Sequence, residues 1–186
     1  MIPDPSHLSS QSRSLIAVLL AALSSLVIPA TGFSASPSAY VREIIEREAP
    51  GQVNASVRCV TSSELARQAD RSAVGTALSG VTITQRGRRA RILLSYSRVC
   101  KPIARYRLTG KLYGTTALAI LTVLHEAAHA RGIRVEWKAT CAAIPGTLRM
   151  LRRWGADRYQ LRRANRFLRV GAEKYRLGEY KLRGRC

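Results

Sequence analysis

The sequence predicts an α+β protein in which a small β-element packs on a buried helix. Three observations carry this. Alternating apolar residues mark strands only in the first half of the chain, and helical periodicity takes over the second. The run ALAILTVL, Ala117 to Leu124, is apolar on every side, so the helix that contains it belongs at the centre of the fold. Mixed elements followed by helices alone are the order expected of α+β architecture.

Residues 1–36 stand apart from that fold. Leu15 to Ile28 is an apolar run of 14 residues broken only by two serines, followed by Pro29 and the small-residue stretch ATGFSAS. Its length and position predict a secretory signal, cut after Gly32 or nearer Ala39. The alternative is an uncleaved N-terminal anchor reaching Phe33, if Pro29 and Thr31 are tolerated.

Residues 37–148 read as one domain. Ser38 to Glu48 places Val41, Ile44 and Ile45 at helical spacing, and Ala49-Pro50-Gly51 stops it. Gln52 to Val60 reads as a strand. Thr61-Ser62-Ser63-Glu64 is a capping-box pattern that opens a helix running to Val74. Val81–Thr84 and Ala90–Tyr96, joined through Gly87, read as a hairpin. Pro102 to Gly110 reads as a loop. A helix spans Thr115 to Arg131, with Thr115 as its cap and Gly132 as its stop. A further helix begins near Glu136 and ends at Pro145-Gly146.

Residues 149–186 read as a basic helical extension. Leu161, Ala164, Leu168, Ala172 and Tyr175 form its apolar stripe, and Arg162, Arg166 and Arg169 lie opposite. Four cysteines, Cys59, Cys100, Cys141 and Cys186, show no CxxC spacing. In an exported chain they predict two disulfides, with three pairings open.

The chemistry concentrates in His125-Glu126-Ala127-Ala128-His129. Histidines four apart share one helical face, so both imidazoles can reach one metal ion, and the intervening glutamate is placed as a general base. At ordinary frequencies such a pattern arises by chance in fewer than about one chain in a hundred of this length. Apart from His7, the chain has no other histidine. The third ligand is therefore an acid or a thiolate, with Glu136, Cys141 and Asp157 as candidates. On a continuous helix Glu136 would sit roughly 10 Å along the axis from His129, too far to share an ion. Gly132 lets the chain turn and bring Glu136 back.

The run HEAAHARGIRVEWKATC resembles the zincin metallopeptidases, in particular small exported bacterial proteins of the pattern HExxHxxGxxxE followed by a cysteine. Weaker similarity extends back to Val57-Arg58-Cys59 and RILLSYSRVC, so it covers roughly residues 52–145. The metzincin position for a third ligand, six residues past the second histidine, is Val135 here, and gluzincins place their glutamate farther downstream. The resemblance implies a zincin-like fold and a bound Zn2+. It implies peptide hydrolysis with Glu126 as base, and an edge strand at Arg91, Ile92, Leu93, Leu94, Ser95 and Tyr96 that receives a peptide or protein substrate.

The formal net charge of +20, from 31 basic and 11 acidic residues, excludes an acidic solubilising protein. Residues 149–186 hold 13 basic and 3 acidic residues, half the excess in a fifth of the chain. Such a surface suits an anionic cell-surface polymer or membrane. Nucleic acid fits less well, because aromatics are sparse and no recognised module is present. The rival to an exported zinc peptidase is an exported cationic binding protein whose HExxH site is structural or inactive.

Overall fold

The computed structural model describes residues 36–49, 53–69, 79–84, 89–175 and 186, with no account of the side chains of 171–175. The expected signal or anchor in residues 1–36 therefore lies almost wholly outside the described residues. All described residues belong to one unit, Ala35–Cys186. Its architecture is α+β: six α-helices and a three-stranded sheet among the described residues.

Helix α1 (Pro37–Glu48) is capped by the Ser36 hydroxyl and buries Val41, Ile44 and Ile45. Strand β1 (Ala55–Val60) leads to α2 (Ser62–Gln68), whose Thr61 cap accepts from the Glu64 amide at 3.2 Å, as the capping-box pattern predicts. Strands β2 (Gly80–Ile83) and β3 (Ala90–Ser95) form the expected antiparallel pair. The sheet order is β1-β3-β2, with β1 parallel to β3 in the register Ala55 opposite Ala90.

This order corrects one expectation. Arg91–Ser95 is the central strand, bonded to β1 on one side and β2 on the other, so no peptide can add there. Tyr96 lies beyond the strand, in a π-helical turn at Tyr96–Cys100. The alternation of β3 explains its place. Ile92 and Leu94 point into the main core, while Leu93 points to the other face and meets Val60 and Leu65 beneath α2.

The π-helical turn runs directly into α3 (Lys101–Thr109), where a loop was expected. Pro102 occupies the first turn, where a missing N–H costs nothing, and Gly110 at φ 66° closes the helix. Buried Ile103 and Tyr106 supply the packing that the local sequence does not announce.

Helix α4 (Gly114–Ala130) is the central helix expected from its apolar run. It begins at Gly114 rather than behind a Thr115 cap. Helix α5 (Glu136–Arg153) continues through Pro145-Gly146, where the sequence suggested a stop, and so passes the boundary expected at 148. A proline there removes one helical bond. Close approach to α4 offsets this: a Cβ on Gly146 would lie 2.9 Å from Leu124 Cδ1. Ile144, Met150 and Leu151 are buried on the same helix. Glu48, its side chain 3% exposed, accepts from Arg149 at 2.8 Å and Arg153 at 3.2 Å, tying α1 to α5. Helix α6 (Arg158–Tyr175) adds Ala164 and Leu168 to the same core. No helix among the described residues is long and apolar enough to cross a membrane.

Both disulfides form. Cys59, near the end of β1, joins Cys100 in the π-helical turn, with their Cα atoms 6.2 Å apart. Cys141 of α5 joins the terminal Cys186. Two disulfides point to an oxidising compartment. Each closes a loop of more than 40 residues. Replacing Cys59 and Cys100 together by alanine is expected to destabilise the chain by about 2–4 kcal/mol, measured as a lowered urea midpoint.

Candidate metal centre

The site is built by the turn between α4 and α5. Helix α4 ends at Ala130 and is closed by Gly132, whose φ of 95° only glycine adopts without strain. The Gly132 amide donates to the His129 carbonyl and the Ile133 amide to the Ala128 carbonyl, closing the helix with its last carbonyls satisfied. The chain then reverses, and Glu136 opens α5 in its first turn. A carboxylate is favoured there by the positive end of the helix.

The reversal brings three side chains together. Glu136 Oε2 lies 2.9 Å from His125 Nε2 and 3.3 Å from His129 Nε2, and the two Nε2 atoms are 2.9 Å apart. One ligand atom from each residue lies within 4.8 Å of the others, so the three can hold one metal ion. His125 is buried, and the other two are half-buried.

The ring nitrogens behind them are engaged too. His129 Nδ1 lies 2.6 Å from the Ile133 carbonyl, which can only accept, so Nδ1 carries a proton and Nε2 is the ring nitrogen that faces the centre. His125 Nδ1 lies 3.1 Å from the buried Thr140 hydroxyl, four residues along α5 from Glu136. Such outer contacts orient imidazole ligands and raise their basicity.

The remaining candidates are accounted for elsewhere. Cys141 is bonded to Cys186 and offers no thiolate. Asp157 caps α6: its Oδ1 accepts from the Gln160 amide at 2.7 Å, and Gln160 returns the bond to the Asp157 amide at 2.9 Å.

Glu126 is buried and is not among the three that cluster. Its Oε2 lies 2.7 Å from the Thr82 hydroxyl of β2, which is also 2.9 Å from the Glu126 carbonyl. Burial pushes its carboxyl above the ordinary 4.5, against the charge of His125 and the Thr82 bond, which pull it down. Thr82 was not legible as a functional residue, since it reaches the helix across the sheet. Gly80, on the same face of β2, lets the strand approach: a Cβ there would lie 2.9 Å from Glu126 Cγ and 3.0 Å from Leu94 Cδ2. Leu94 is fully buried and cannot retreat. Gly80→Ala is therefore expected to destabilise by about 1–3 kcal/mol, seen as a lowered urea midpoint at unchanged slope.

The cluster is electrostatically coupled. Burial raises the Glu136 carboxyl, but hydrogen bonds with His125 and His129, and their charge, bring it down to about 2. The hydrogen bond to Glu136 raises His129 above its ordinary 6.5, outweighing burial. A carboxylate ionised across the physiological range beside two imidazoles is a donor set that could hold a metal ion. No protein-family model, curated protein or solved structure matches this chain.

Proposed function

We propose that the chain is an exported zinc metallopeptidase. The observation that carries this reading is the convergence of His125, His129 and Glu136 on one point, with Glu126 on the same helix as the two histidines but outside the ligand set. Two imidazoles and a carboxylate suit zinc, and three protein ligands leave a coordination position for water. Bound zinc would supply Lewis acidity and an acidified water. Glu126 takes the proton of the attacking water and delivers it to the leaving amine. Thr82 holds that carboxylate in place through its hydroxyl.

The substrate strand belongs on β2 rather than β3. β2 pairs with β3 on one side and, among the described residues, with no strand on the other. It also lies over Glu126 through Gly80 and Thr82. Addition of an extended peptide to that edge carries its carbonyl past the base. Export is supported by the two disulfides and by the N-terminal apolar run.

The test is hydrolysis of a mixed peptide pool by the oxidised chain loaded with zinc. Cleavage that a chelator stops and zinc restores supports the reading. A chain that holds one zinc ion and leaves every peptide intact is a structural zinc protein, and the enzymatic reading is lost.

A further inference from the structure

Helix α6 presents two kinds of side chain to solvent on one face. At 100° per residue, Tyr159, Arg163, Arg166 and Val170 lie within about 60° of one another, opposite the buried Ala164 and Leu168. Tyr159 is 65% exposed and Val170 53%. Phe167, at the margin of this face, rests on Gly114, whose built Cβ would lie 3.3 Å from its ring. Leu118, one turn along α4 from Gly114, and Tyr113 before it are exposed as well. The apolar surface thus continues from α6 onto the start of α4.

The described part of this helix carries a strong excess of positive charge. Arg158 to Val170 holds five arginines and no acid; Arg169 donates to the terminal Cys186, and the other four form no ion pair among the described residues. Several described acids elsewhere are engaged within the fold: Glu43 and Glu48 with arginines of other helices, Glu64 with Arg58, Asp157 in its own helix cap.

We infer that the outer face of α6 docks on an anionic lipid surface, its arginines on headgroup phosphates and Tyr159 and Val170 at the acyl boundary. Interleaving decides the partner. A soluble polyanion would engage the arginines and gain nothing from an exposed valine, whereas a bilayer interface offers both phosphate and hydrocarbon to one helix lying flat. The inference is independent of the metal centre, which uses none of these residues.

The experiment is vesicle co-sedimentation of the full oxidised chain. Vesicles one-third phosphatidylglycerol are compared with zwitterionic ones. Binding common to both, including any through the apolar N-terminal run, is subtracted. The parent is expected to partition to the anionic vesicles, less so as salt rises. Each arginine is worth about fivefold, so Arg163→Ala/Arg166→Ala loses about 25-fold. Tyr159→Ser/Val170→Ser loses about tenfold without changing the salt dependence. These positions are exposed, and circular dichroism verifies that both variants remain folded. Anionic binding unchanged in the arginine variant overturns the inference. So does a serine variant that binds vesicles like the parent, or DNA or heparin binding that outcompetes the vesicles: either result makes the face a polyanion site instead.

Discussion

Zinc added to the metal-free chain at a hundredfold excess over its dissociation constant is expected to raise stability by about 2.7 kcal/mol. For a chain of this size that is roughly 5–10 °C in melting temperature. Glu136→Ala is expected to abolish the shift. Glu136 is the only carboxylate of the cluster, and without it two imidazoles remain, their Nε2 atoms 2.9 Å apart. Losing an outer partner of a ligand costs about 10–100-fold in metal affinity, and losing the ligand itself should exceed that. The metal-free cluster has its own pH signature. Glu136, depressed to about 2, contributes stability above its ordinary 4.5 and loses it as pH falls toward 2. His129, raised, contributes below its ordinary 6.5 and loses that contribution as pH rises through its folded value. In chelator, Glu136→Ala should therefore be most destabilising between about 4.5 and 6.5. Zinc, which must displace the proton of His129, should protect the parent most above that window. Melting curves with and without chelator across pH read both effects. A zinc-induced shift that persists in Glu136→Ala would move the third ligand elsewhere.

Much of this centre was readable because its information is local. His125 and His129 are one helical turn apart, and Gly132 sits where a chain must reverse for Glu136 to return. Thr140 follows Glu136 at the same four-residue spacing and was legible in principle as its neighbour on α5. Thr82 and Gly80 were not, because they meet Glu126 through sheet order, 44 residues away in sequence for Thr82. The same limit hid the centrality of β3. A hairpin pattern shows that two strands pair but not that β1 returns in parallel on the far side. Pro102 and Pro145 misled for a related reason. Proline reads as a breaker locally, yet Pro102 falls in a first turn and Pro145 in a helix held by the close fit of Gly146 against Leu124.

Glu126→Gln is expected to lower peptide turnover by about 10²–10⁴-fold while leaving zinc in place. The two halves of that outcome follow from different contacts. Glu126 is not one of the three clustered residues, so replacing its carboxylate leaves Glu136 in place and the histidines with their outer bonds, His129 to the Ile133 carbonyl and His125 to the Thr140 hydroxyl. An amide has the shape to stay beneath Gly80 and keep a hydrogen bond with Thr82, whereas alanine would leave a void under β2 and confuse a folding defect with a catalytic one. What the amide cannot do is take a proton from water. Thr82→Val provides the complement. It leaves the carboxylate but removes the hydroxyl that holds it, so turnover should fall by less than in Glu126→Gln, and Thr82→Ser should restore it. Zinc content, melting temperature and turnover measured on the same preparations separate the causes. Loss of zinc in Glu126→Gln would make Glu126 part of the metal site. Full turnover with zinc retained would remove it from the chemistry, leaving the buried carboxylate and Thr82 as a structural link between sheet and helix.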